Sequence, residues 1–346
     1  MTLCAWRAIR VRTGNRKSAS AVRSWRKPDC SCRAFPCSES CGARSTCSRS
    51  PVARSSAEAC TVGEWLPYIP YCGTPPIPQV LWTRWNFDPI LIVTLLLLAA
   101  ACGVQPWRGG TAPGGRGSVG RQRLMFTAGW LALALALVSP LCNLSIALFS
   151  ARVGQHMWLV LVAAPLIAVS GPVHQLSRVL AGGRGAAAQR VAARLTAPLP
   201  AALSFGLFLW IWHLPGPYQL TFDSHVAYWV MHITLTGSAV LLWEMLFDRP
   251  RGQVAGRLFA GFATLLHMGL LGAVITLAPR VLYPVHTLTT QPWGLSALED
   301  QQLGGLIMWV PGCAALAGIV LAKLHELLVE PGEAAAPAEP DRVRVG

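Results

Sequence analysis

Seven stretches of this chain, at about 88–104, 125–146, 155–173, 199–214, 226–247, 256–278 and 304–325, run for roughly 20 residues with almost no charged side chain. That is the length an α-helix needs to cross a hydrocarbon core of about 30 Å. The spacing predicts an all-α, polytopic membrane protein with about seven transmembrane helices. Composition agrees: 53% of the 346 residues are hydrophobic and 13% are charged, about half the charge of a soluble domain.

The formal charge of +14 raises nucleic acid as a partner, but its distribution argues against that. Arginines recur in alternate loops. Arg108, Arg116, Arg121 and Arg123 follow the first stretch, Arg178, Arg184, Arg190 and Arg194 the third, and Arg249, Arg251 and Arg257 the fifth. The intervening loops hold only Arg152 and Arg280. Alternation of this kind is the positive-inside pattern. It predicts that the N-terminal end of the bundle faces outward and that the tail, with Arg342 and Arg344, is cytoplasmic. The partners expected from this are a lipid bilayer and other membrane proteins, not nucleic acid.

Residues 1–84 read differently. The first 60 hold twelve Lys and Arg against three acids, and eight of the eleven cysteines precede residue 73. The run CSCRAFPCSESC (Cys30–Cys41) fits no zinc-ligand spacing. Large apolar residues are too few there to form a core, and no apolar run marks a secretory signal. Composition therefore assigns 1–84 to a disordered or mis-assigned extension, 85–327 to the membrane domain and 328–346 to a disordered cytoplasmic tail. No Met lies between Met1 and Met125, so a later start would use a Val or Leu codon near Val80 or Leu81.

Ionisable residues inside a membrane segment are costly and point to function. All eight histidines lie after residue 150. The predicted topology sorts His156, His213, His225, His232 and His286 to the outer side, and His267 to the middle of the sixth span. With Asp223, Asp300, Met157, Met231 and Met308 they form a possible ligand set, since imidazole and thioether suit copper, and imidazole also suits haem iron or zinc. His225 and His232, seven apart, can share a helix face. An interhelical hydrogen bond or an interfacial position is the competing reading for each.

Three segments resemble the CtaG-type cytochrome c oxidase assembly family, membrane proteins of caa-type oxidase maturation. They are FSARVGQHMWLVLVAAPLIAVSGPV (Phe149–Val173), LWIWHLPGPYQLTFDSHVAYWVMHITLTGSAVLLWEML (Leu209–Leu246) and LEDQQLGGLIMWVPG (Leu298–Gly312), with a smaller match in LAPRVLYP (Leu277–Pro284). The resemblance covers roughly 85–327. It implies a multi-pass protein of a bacterial cytoplasmic membrane, assisting copper delivery or metal-centre maturation of a terminal oxidase at the outer face. Its partners would be oxidase subunits or another copper chaperone.

Carried over by position, the resemblance makes His156, His213 and His232 the metal ligands, with Trp212, Asp300, Gln301 and Met308 supporting and copper as the metal. In one place the chain departs from the family pattern, which usually has a second His one turn before His156. Here that residue is Arg152, and arginine has no lone pair to offer a metal. No nucleophile stands with a base, so the reading is not an enzyme. A membrane haem protein and a copper or small-solute transporter are the alternatives. In the stretch LEDQQLGGLIMWVPG itself, Asp300 is expected to cap the seventh helix, the Gly304–Gly305 pair to admit a close neighbour, and Pro311 to kink it.

Overall fold

A computed structural model describes residues 69–104, 119–173, 185–247 and 254–329. Among these the chain is all-helical, with no strand. The helices are α1 (Pro89–Val104), α2 (Val119–Val138), α3 (Pro140–Ala147), α4 (Phe149–Val169), α5 (Gly185–Leu195), α6 (Pro198–His213), α7 (Pro215–Asp223), α8 (His225–Phe247), α9 (Val254–Leu277) and α10 (Ala297–Val329).

Each of the seven apolar stretches is helical, and among the described residues four to six helices qualify as spans by length and composition. Helices α4, α8, α9 and α10 are each long and apolar enough to cross a membrane. The bent pairs α2–α3 (49°) and α5–α6 (64°) raise the number to six if each is one span, and α1 is a shorter apolar helix. Proline accounts for both breaks. Pro140 and Pro198 each start the second member of a pair at its first turn, where the absent N–H costs nothing and the fixed φ suits a helix start.

Helix α4 is continuous, although Leu159–Ala163 winds as a π-helix. Pro165 lies just beyond, and a proline removes the donor that an upstream carbonyl needs. The Val160 carbonyl instead accepts from Trp243 Nε1 of α8, at 2.6 Å. Helix α10 runs unbroken through Pro311. A Cβ on Gly304 would collide with the Phe149 ring, and one on Gly305 with the Thr276 side chain and backbone. The two glycines therefore set the close approach of α10 to α4 and α9.

The start of α10 corrects one expectation. Ser296 and Glu299 cap it reciprocally, Glu299 N–H donating to Ser296 Oγ (3.2 Å) and Ser296 N–H to Glu299 Oε2 (2.8 Å), a capping box. Asp300 faces away from this cap and serves α4 instead.

Residues 69–84, placed by composition in the extension, are packed against the bundle. Cys72 is disulfide-bonded to Cys142 of α3. Asn143 Nδ2 donates to the carbonyls of Cys72 (2.5 Å) and Thr74 (3.1 Å), and Tyr71 stacks on Tyr228 with ring centroids 4.8 Å apart. The packed domain thus begins upstream of the predicted boundary, and a chain starting at Val80 would lack Tyr71 and Cys72. The expectations for residues 1–68, Cys30–Cys41 included, and for 330–346 lie outside the described residues.

Candidate metal centre

One end of the bundle collects the starts of α4, α8 and α10 and the ends of α3, α6 and α9. His156 lies two turns into α4, His213 is the last residue of α6, and His232 lies two turns into α8. Residues up to 76 sequence positions apart, on three helices, are brought together here. The His156 ring is 5.3 Å from that of His232 and 6.5 Å from that of His213, near-perpendicular to both. All three side chains are buried.

Two of these imidazoles are held by their own helices. His213 Nδ1 lies 2.7 Å from the Leu209 carbonyl and His232 Nδ1 lies 3.0 Å from the Tyr228 carbonyl. A carbonyl only accepts, so each Nδ1 carries the proton and each Nε2 keeps its lone pair. The Nε2 atoms of His156 and His232 are buried with no hydrogen-bond partner. A buried nitrogen without a partner calls for an explanation, and a ring fixed through Nδ1 with Nε2 free is the arrangement of a metal-binding histidine.

His156 and His213 line a small cavity together with Met157, Met268 and Met308. Nitrogen–metal bonds of about 2 Å place two imidazole centroids roughly 5–6 Å apart around a shared ion, so the His156–His232 pair has suitable spacing and His213 is at the outer limit. Among the described residues no group of three His, Cys, Asp or Glu side chains is arranged to hold a metal. The donors at hand are imidazoles joined by thioethers, a set that favours copper over harder ions.

The remaining predicted residues hold this arrangement in place. Asp300 accepts from the backbone N–H groups of Phe149 (2.6 Å) and Ser150 (3.1 Å) and from the Ser150 hydroxyl. It caps α4, the helix of His156 and Met157, from a neighbouring element, and its negative charge suits the positive end of that helix. Gln301 accepts from the Leu282 N–H at 2.6 Å and donates to the carbonyls of Ile275 and Arg280, tying the loop after α9 to α10. Trp212 Nε1 donates to Thr234 Oγ1 at 2.9 Å, joining the helices of His213 and His232. Met308 reaches the cavity itself.

Other sequence candidates lie elsewhere. His225 is exposed and contacts the Ile69 carbonyl, so it does not share the site with His232. Asp223 is exposed beside Gln219. His267 packs on Gly206, with neither ring nitrogen hydrogen-bonded. Met231 is buried but is not among the cavity residues. His286 is bonded on both sides, Nε2 to the Tyr218 hydroxyl (2.7 Å) and Nδ1 to the Ala147 carbonyl (3.3 Å). Burial, helped by the charge of Arg152, pushes it down to about 3. Burial likewise raises the Tyr218 hydroxyl above its ordinary range.

Sequence reasoning missed Met268. Its only signal is its place beside His267, on a span that is apolar on every side. The same holds for Tyr228, whose carbonyl holds His232 and whose hydroxyl lies 3.2 Å from Cys72 Sγ.

An uncharacterized protein of Mycobacterium bovis, Mb0105, and one of Mycobacterium tuberculosis, MT0111, are each 27% identical to the chain over 257 residues. The match covers 68% of this chain and 38% of each relative, so the chain spans well under half the length of these relatives. No solved structure matches the chain. The family model for the cytochrome c oxidase caa3 assembly factor matches residues 100–328, every helix from α2 to nearly the end of α10. The chain belongs to the cytochrome c oxidase caa3 assembly factor family.

Proposed function

We propose that this member of the oxidase assembly family handles copper for a terminal oxidase, holding the ion at the histidine–methionine cavity on the outer side of a bacterial cytoplasmic membrane. The observation that carries the proposal is the convergence of His156, His213, Met157, Met268 and Met308 on one cavity, with His232 against His156. Copper is the cargo in this reading. The imidazoles and thioethers form a neutral, soft donor set that can release the ion by exchanging one ligand at a time. No residue supplies a bond-breaking step in this reading.

Two observations favour the outer side. Disulfides persist in oxidising compartments and are rare in the cytosol, and Cys72–Cys142 lies at the end of the bundle where α4 and α8 begin. Arg121, Arg123 and Arg257 stand near the starts of α2 and α9, at the opposite end of the bundle, as the positive-inside pattern expects. Both support a cavity nearer the outer surface, where copper centres assembled from outside receive their metal. The clients in this reading are oxidase subunits, reached directly or through another copper chaperone.

The test is made in a strain lacking the gene. Oxidase purified from that strain should be depleted in copper and recover it with the wild-type chain but not with His156→Ala or His213→Ala. The purified protein should bind about one Cu(I), and Met308→Leu should weaken that binding. Normal oxidase copper content in the deletion strain would refute the proposal. A Soret band in the purified protein in place of bound copper would turn the reading to a haem protein.

A further inference from the structure

Arg152 precedes His156 by one helical turn on α4 and is only 2% exposed. Its guanidinium lies over the ring of Phe222 (4.4 Å), near that of Tyr218 (5.0 Å) and farther from that of Tyr228 (5.9 Å). One terminal nitrogen donates to Thr221 Oγ1 at 2.7 Å, while Nε is buried with no hydrogen-bond partner. No carboxylate among the described residues forms an ion pair with it. Asp300, which caps the same helix, has both oxygens engaged at the start of α4. A full positive charge is therefore buried beside the imidazole cluster, balanced only by aromatic faces and a hydroxyl.

Such a charge is costly to bury, and its aromatic cage returns only a small part of that cost. Nor does it serve as a ligand, since arginine offers no lone pair. What it changes is the electrostatic potential at the cavity. Repulsion between a fixed charge and a cation grows with the cation's charge, so a divalent ion is penalised twice as much as a monovalent one. The donors of the cavity are neutral and add no negative charge in compensation.

We propose that Arg152 is the specificity-determining residue of the histidine–methionine site, restricting its cargo to soft monovalent cations, Cu(I) in the copper reading, and rejecting Zn(II) and Cu(II). The inference rests on that reading of the cavity. For charges about 6–10 Å apart at an effective dielectric of about 20, each added unit of cargo charge costs roughly 15- to 100-fold in affinity. The thioethers then add their own preference for Cu(I).

The experiment uses the purified full chain as wild type, Arg152→Lys, Arg152→Met and Arg152→Gln. Affinities for Cu(I), Ag(I) and Zn(II) are measured by chelator competition, and thermal unfolding of each metal-free form checks the fold. Arg152→Met should raise Zn(II) affinity relative to Ag(I) by at least tenfold. Arg152→Gln, which is neutral but polar, should do the same, so the test stands if one neutral variant fails to fold. Arg152→Lys should keep the wild-type ratio. A Zn(II) to Ag(I) ratio that stays within threefold in both neutral variants, or shifts equally in Arg152→Lys, overturns the assignment while leaving the metal site intact. Failure of the wild type to bind any of the three ions removes the site and this inference with it.

Discussion

Replacing Asp300 by Ala tests whether α10 positions the His156 helix. The wild-type carboxylate accepts from two backbone N–H groups and one hydroxyl at the start of α4. Losing a side-chain cap costs typically about 1 kcal/mol, and each buried donor left without a partner adds about 1–3 kcal/mol. Two backbone donors are orphaned in Asp300→Ala, while the Ser150 hydroxyl can turn to another acceptor. The expected loss is thus about 3–7 kcal/mol. Asp300→Asn keeps one carbonyl acceptor and removes a buried charge, so its expected cost is smaller, about 1–2 kcal/mol. Glu299→Ala changes only an exposed cap and should leave stability near wild type. Reversible unfolding in mixed micelles, followed by Trp fluorescence, measures all three. Cu(I) affinity measured on the same samples should fall in the order of the stability losses, because α4 carries His156 and Met157. A cost below 1 kcal/mol for Asp300→Ala, or Asn as costly as Ala, would refute the cap and the reasoning built on it.

Reducing Cys72–Cys142, or replacing both with Ser, removes a cross-link spanning 70 residues. Chain entropy sets its worth at up to about 4 kcal/mol, with less expected where helices stay formed in the membrane. Hydrogen exchange should quicken over residues 69–76, and unchanged exchange there would contradict the packing of that segment. His286 gives a pH dependence. Its folded value near 3 lies below the ordinary 6.5, so between these values the unfolded chain binds the extra proton. The stability it contributes is complete above about pH 6.5 and falls as pH drops toward 3, by up to about 1.4 kcal/mol per unit. Unfolding midpoints of wild type and His286→Gln at pH 7.5 and 5 should show the variant losing less, and parallel losses would count against the assignment.

Much of the architecture was legible because length and hydropathy are local properties. Every apolar stretch is helical, and the ordering of loops foretold that His156, His213 and His232 would lie at one end of the bundle. The number of spans was less legible: the breaks at Pro140 and Pro198 turn two stretches into bent pairs, and α1 is short. Asp300 was singled out as a cap, but its target is the helix beside its own. The contact is set by the glycine-mediated approach of α10 to α4, between segments some 150 residues apart.

The sequence by itself determined that this chain is a helical membrane protein, which side chains lie within its membrane segments, and through its motifs the family to which it belongs. Tertiary structure decided which of those side chains meet. Hydropathy marks a residue as membrane-embedded, but lipid tails and the protein interior are equally apolar, so a span that is hydrophobic all round does not reveal its inward face. For that reason only packing could show Met268 beside Met308, Cys72 paired with Cys142, and Arg152 as a buried charge next to the histidines.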